Sequence, residues 1–399
     1  MSSPQFSRCA ALSALLTVLV AAACQQPRRS ELPPPPGPRE RPVSTASRTI
    51  SLRLTAYEGA RELWVGGTET GALSFVAEGG AIRCSNGATR RSFTLRPRGA
   101  GLSLGGERYP GRLSLTTHPE GGLRATLMLD LEDYVRGVVA GELPLLRAAQ
   151  SELEAQAVAA RSYALARWRE RSRAGRAPFL WDDTRDQVYR PLPAVQSPPL
   201  REAHARLDAA IVATRGEVLI YRGELFDARY HAACGGATAP LASVPGSTGV
   251  TCGSCSQETA RELEWSFTAT SEELSQVARA LGIGERLVIV EPARALTSER
   301  WDLVNLIGTA GSKTVSVGRL RALLGAERFA SNLIVRTWPH PGKPIAAGLR
   351  IDGRGRGHGS GMCQEGAHEL ASRGWSKTRI LAHYYPGTST QSWTSGNIP

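Results

Sequence analysis

Residues 353–361 read GRGRGHGSG, with glycine at every second position. Glycine at that density gives up side-chain packing and costs backbone entropy on folding. It is kept where the backbone takes angles other residues avoid or approaches another group closely. The run passes at once into helix-like sequence, MCQEGAHELASR, with a helix expected from about Cys363 to Arg373. A surface loop ahead of a helix would account for the pattern, and so would a backbone lying flat beside a ligand. No lysine follows and no GKS or GKT is present, so the run is not a phosphate cradle.

The N-terminus decides the compartment. MSSPQFSRCAALSALLTVLVAAACQQ carries one basic residue, Arg8, and then an apolar stretch from Cys9 to Ala23. That stretch is short for a membrane span and right for the hydrophobic region of a signal peptide over residues 1–23. Three alanines precede Cys24, an arrangement that resembles a bacterial lipobox, although Ala21 stands where leucine is usual. Cys24 is therefore the expected lipidation site, with ordinary secretion as the alternative. Residues 24–45 hold seven prolines and almost nothing apolar, so they read as an extended tether. The expected location is the cell envelope, after secretion across the inner membrane, with the lipid as membrane anchor.

Of the 48 basic residues only Lys313, Lys343 and Lys377 are lysine. The arginines are scattered and no run of them alternates with aromatics as a nucleic-acid face would, which argues against a nucleic-acid partner despite the net charge of +12.

Residues 46–128 read as a β-rich module: TISLRLTAY, ALSFVAE, RRSFTLRPR, GRLSLTTH and LRATLMLDL alternate apolar and polar residues between glycine turns. At Leu131 the texture changes. LEDYVRGVVAGELP reads as a strand end becoming a helix, and Ser151 with Glu154 has capping-box spacing. Leu153, Ala157, Ala160 and Ala164 then recur on one face, the mark of a buried central helix of small residues. Residues 210–230 suggest two strands around an RGE turn, and residues 265–335 mix strands with the amphipathic helices SEELSQVARALG and VGRLRALLG. The fold class is α+β (mixed α/β), with the second domain over residues 129–390.

Glu142, in VVAGELP, lies among Val138, Val139, Leu143 and Leu145, and Pro144 disfavours helix at Leu143. A carboxyl held on a turn among apolar groups has its charged form disfavoured, so its pKa rises and it can donate a proton near neutral pH. In the loop 231–258, His231, Cys234, Cys252 and Cys255 follow H-x2-C-x17-C-x2-C, which suits a tetrahedral structural zinc site. A disulfide from Cys234 to Cys252 or Cys255 is the alternative in an oxidising compartment. Cys84 has no obvious partner. The five cysteines beyond the targeting segment are odd in number, so at least one thiol is free or metal-bound. HExxH is absent, which counts against a zinc-dependent hydrolase.

Two long blocks carry a resemblance. LEDYVRGVVAGELP…LEAQAVAARSYAL and GRGRGHGSGMCQEGAHELASRGWSKTRILAHYYPGT resemble the signature blocks of the SpoIID/LytB family of bacterial sporulation and cell-wall proteins. The likeness covers roughly residues 125 to 390. It implies a lytic transglycosylase that cleaves peptidoglycan glycan strands, particularly strands stripped of stem peptides, with Glu142 as the single catalytic acid/base and no cofactor in the chemistry. The muramic C6 hydroxyl would attack, leaving 1,6-anhydro ends. Other members were first described as amidase enhancers, which makes a non-catalytic wall-binding scaffold with an amidase partner the alternative. On this reading the glycines line a sugar groove, and His358, Gly359, Gly361, Gln364 and Arg161 are the candidate strand-binding residues, with a structural role as the other reading of Arg161. Tyr384 and Tyr385, and Glu132 and Asp133 of LEDY, are read as structural. Some members carry a zinc site in the cysteine loop. The chain departs from the family's GMSQWGA at GMCQEGA, with Cys363 for serine and Glu365 for tryptophan.

Overall fold

The computed structural model describes residues 49–393 apart from 100, 176, 193–196, 256–262 and 298. The leader, Cys24 and the proline-rich tether lie outside the described residues. Among the described residues no helix is long and apolar enough to cross a membrane.

The β-rich region builds two sheets. One orders Leu180–Trp181, Thr49–Arg53, Leu123–Asp130, Arg112–Thr117 and Ser92–Leu95. The other orders Thr89–Arg90, Ala81–Cys84, Gly71–Glu78, Glu62–Thr68, Leu102–Leu104 and Glu107–Tyr109. Leu123–Asp130 is buried at every second residue, the period of a strand with one covered face. It runs directly into helix α1, Leu131–Glu142, whose first turn is capped by the Asp130 carboxylate accepting from Glu132 N at 2.8 Å. Thr49–Arg53 pairs in parallel with Leu180–Trp181, and one hydrophobic cluster runs from Ile50 to Tyr385. The β-rich region thus shares its core with the helical part of the chain.

Helix α2, Gln150–Arg173, is that core's axis. Between Glu152 and Leu165 only Glu154 escapes burial, so the helix is enclosed on all sides, beyond the single stripe of small residues in its sequence. Alanine on so many faces lets α1, the helix α3 (Pro198–Ala213) and the strand Glu217–Tyr221 approach closely. The expected Ser151/Glu154 cap lies two residues earlier, where Glu152 accepts from Ala149 N at 3.1 Å. Residues 210–213 complete α3, and the strands expected there begin at Glu217.

Residues 264–354 form an insert with its own core, built on Phe267, Leu274, Leu306, Phe329 and Ile351. It contains α4 (Ser271–Leu281), α5 (Val317–Leu324), a three-stranded sheet ordered Glu264–Thr270, Gly348–Arg354, Ile334–Trp338, and a meander of Leu287–Ala295, Trp301–Gly308 and Gly311–Ser316. Helix α4 starts with reciprocal bonds between Thr270 and Glu273. The chain then returns to the core as α6 (Gln364–Ser372) and α7 (Lys377–Tyr384).

Candidate functional site

Glu142 is the last residue of α1. Leu143 leaves the helix with φ −114 and ψ 143, the extended backbone that a following proline enforces. Residues 187–190 lie directly against this helix end, because Gly137 and Gly141 present no side chain. A Cβ on Gly141 would stand 2.4 Å from Val188 O, and one on Gly137 would strike the Tyr189 ring. The close approach aims Val188 N at the carboxyl, donating to Glu142 Oε1 at 2.7 Å, while Arg190 N bonds Gly137 O at 3.0 Å.

The Tyr230 and Gln364 side chains approach the same carboxyl. They come from chain segments far apart, joined by a two-residue parallel ladder of Tyr230–His231 with Met362–Cys363. Tyr230 donates to Gln187 Oε1 at 2.6 Å, and Gln187 donates to Tyr134 OH at 2.8 Å, so a buried polar chain backs the site. Burial raises the Glu142 pKa above the ordinary carboxyl value, and the Val188 N–H, Gln364 and Tyr230 only partly oppose it. Among the described residues no cation pairs with Glu142. An apolar groove of about 320 Å³ opens along this end of α1, lined by Ala140, Leu143, Leu145, Leu192, Leu200 and His204 among others. Two larger clefts elsewhere are lined by charged side chains that already pair with one another, such as Arg171 with Asp186 and Arg354 with Glu299.

Three expectations need correction. Gly359 and Gly361 are buried and face the protein itself. A Cβ on Gly359 would stand 2.1 Å from Arg300 Nη1, and one on Gly361 would overlap Arg229 O. The run is a seam of close backbone packing, so these two glycines cannot line a groove. Arg161 is fully buried, held by Glu132 (Nη2 to Oε2, 2.6 Å) and by Glu217 O at 2.9 Å, and cannot reach a strand. His231 also stands apart from the cysteines, with its Nδ1 3.2 Å from Ser360 O. Of the remaining candidates, His358 is exposed, its Nδ1 accepting from Ser360 N at 3.1 Å, and Gln364 is at the carboxyl.

The fourth cysteine is Cys363. The sulfurs of Cys234, Cys252, Cys255 and Cys363 all lie within 4.8 Å of one another, and all four residues are buried. Cys255 and Cys363 sulfurs are 3.6 Å apart, and no described cysteine is in a disulfide. Zinc at about 2.3 Å from four sulfurs sets them roughly 3.8 Å apart, so the cluster is consistent with a structural metal such as zinc. Thiols this close do not ionise independently: hydrogen bonds within the cluster hold Cys255 below, and Cys234 and Cys363 above, the ordinary thiol value. Tyr384 OH reaches Cys252 Sγ at 3.7 Å and Tyr385 OH donates to Arg229 O at 2.7 Å, both packing roles.

The strand into α1, the helices α1–α3 and the strand Glu217–Tyr221 coincide with residues 119–221, which match the SpoIID family, described as Stage II sporulation protein. Over that span the chain is similar to SpoIID family domains. It is 27% identical over 271 residues to Stage II sporulation protein D of Bacillus subtilis, covering 65% of this chain and 74% of that protein. It is 24% identical over 308 residues to the Amidase enhancer of the same organism, of which it spans only 40%. An uncharacterised protein of Brachyspira hyodysenteriae is 26% identical over 310 residues, 74% of this chain and 76% of the relative.

Proposed function

We propose that the protein cleaves peptidoglycan glycan strands as a lytic transglycosylase, with Glu142 as its only acid/base. The observation that carries this reading is a carboxyl raised in pKa by burial, free of any cation among the described residues, and placed beside the Gln364 amide and the Tyr230 hydroxyl. Glu142 would give its proton to the glycosidic oxygen as the bond to the anomeric carbon breaks. The muramic C6 hydroxyl would then attack that carbon and return its proton to Glu142, closing a 1,6-anhydro ring. An internal nucleophile removes the need for the second carboxylate of an ordinary glycosidase, and orientation supplies part of the rate. Gln364 Nε2 and the exposed His358 would offer hydrogen bonds to acetamido and hydroxyl groups.

Zinc would be held by Cys234, Cys252, Cys255 and Cys363, where it would supply folding energy and no reaction chemistry, since four protein ligands leave no open position. The reading retains export and a lipid at Cys24 as the way the enzyme reaches the envelope. A second reading, a wall-binding amidase enhancer without catalysis, is favoured by one feature. Glu365 stands where the resemblance places tryptophan, and it is tied to Arg147 at 2.5 Å, removing an aromatic surface for sugar stacking.

The test is incubation of the native protein and Glu142→Gln with peptide-free glycan strands, followed by mass spectrometry. Anhydro-muramyl ends from the native protein alone are expected. Strand binding by both without cleavage would support the second reading, and reducing ends abolished by a chelator would refute both.

A further inference from the structure

Two arginines are buried among the described residues, and they are not equivalent. Arg161 is neutralised by Glu132. Arg300, 2% exposed, has no carboxylate partner among the described residues, and its neighbour Glu299 turns to Arg354 instead, at 2.8 Å. The Arg300 guanidinium donates to Cys234 O at 2.7 Å, Ala237 O at 3.2 Å and Asn332 Oδ1 at 2.6 Å, and lies flat against Gly359. Carbonyl dipoles satisfy its N–H groups but do not cancel its charge, and a buried, uncompensated cation is strongly unfavourable.

The cysteine cluster is where the missing charge can come from. Four protonated thiols, or two disulfides, would leave Arg300 alone. Four thiolates around one divalent ion leave two negative charges over, in a buried site whose member Cys234 is bonded to Arg300 through its carbonyl. Arg300 comes from the insert, whereas the four cysteines lie in the core loop and at the start of α6. We propose that Arg300 is the counter-charge of a metal-loaded tetrathiolate at Cys234, Cys252, Cys255 and Cys363, and that loading this centre docks residues 264–354 onto the core. The inference rests on the zinc reading above and goes beyond it by assigning the centre a charge partner and a mechanical role.

The seam that would respond is visible in the backbone. Arg356 N bonds Ala233 O at 2.8 Å on the core side, and Gly357 N bonds Ala330 O at 2.8 Å on the insert side.

The experiment uses the full chain with Zn(II) as the probe. Zinc affinity is measured by competition with a chromophoric chelator for the native protein, Arg300→Met and Arg300→Lys. Outer partners of metal ligands are typically worth about 10–100-fold in affinity. The expected result is a loss of that size in Arg300→Met, with Arg300→Lys, which keeps the charge, retaining most of the affinity. On the native protein, hydrogen exchange with and without zinc removes dependence on variants that fold poorly. Stripping zinc should expose the Arg356 and Gly357 amides while leaving the Gly71–Glu78 strand protected. Unchanged affinity in Arg300→Met, equal losses in both variants, or seam amides indifferent to zinc would each overturn the proposal while leaving the zinc site standing. A native protein that binds no zinc would overturn the metal reading and this inference together.

Discussion

Gly141→Ala puts the geometry of the candidate site to a quantitative test. Within a helix, alanine is favoured over glycine by up to about 1 kcal/mol, so propensity alone predicts a more stable protein. The structure predicts the opposite. The new Cβ would lie 2.4 Å from Val188 O and 3.0 Å from its carbonyl carbon, and the obstacle is backbone that cannot rotate aside. Reaching ordinary contact of roughly 3.5 Å requires residues 187–190 to withdraw by about 1 Å. That withdrawal breaks the Val188 N–H bond to the Glu142 carboxyl and the Arg190 N–H bond to Gly137 O. With the carboxyl protonated, both are neutral hydrogen bonds worth about 1 kcal/mol each, so the loss is roughly 2 kcal/mol and the net destabilisation about 1 kcal/mol. Losing Val188 also removes a donor that favours the charged form, so the Glu142 pKa should climb further. Urea denaturation reads the first effect and the pH profile of strand cleavage the second. Gly318→Ala in α5 is the control: its Cβ would meet nothing nearer than Ser316 Oγ at 3.7 Å, and it should be neutral or mildly stabilising. Should Gly141→Ala prove as stable as the control variant, with an unmoved pH profile, the packing argument for the site fails.

Glu142→Gln should be more stable than the native protein at neutral pH. The folded pKa is raised, so the carboxyl's favourable contribution is fully present below its unfolded pKa and is lost as pH rises through the folded one. The variant's advantage therefore vanishes in acid, each tenfold rise in proton affinity being worth about 1.4 kcal/mol, and denaturation series at several pH values would expose the opposite trend. Arg161→Met should cost about 3–5 kcal/mol by stranding Glu132, without altering the KM of whatever protein remains folded; a KM change at full stability would return Arg161 to the substrate. Cys363→Ser should lose zinc on gel filtration with elemental analysis, whereas Cys84→Ser, buried on its own in the β-rich region, should keep it.

What the sequence revealed and what it hid divide along physical lines. The end of α1 at Glu142 was legible because Pro144 restricts its neighbour locally, and the helices of the insert because their apolar periodicity is strong. The density of glycine at 353–361 announced close packing, but not its partner. Whether Gly359 meets a sugar or Arg300 depends on a fold-level contact no spacing encodes. Local spacing likewise favoured His231 as a ligand beside Cys234. The actual fourth sulfur arrives at Cys363 through a two-residue parallel ladder, and such long-range register leaves no trace in sequence. The odd number of cysteines was the available hint. Tyr230, the Val188 N–H and Arg300 went unnoticed for the same reason: each acts across the fold on a residue distant in sequence.

The insert has one doorway. Glu264 sits directly across from Arg354, and Gly355 N donates to Leu263 O at 2.9 Å, so the chain departs and comes back at the same threshold. Such an excursion can be swapped, enlarged or excised with little pull on its host. A polypeptide spliced from Leu263 to Gly355 would keep Glu142, Tyr230 and Gln364 in one piece, yet it would leave the carbonyls of Cys234 and Ala237 without the donor that now caps them.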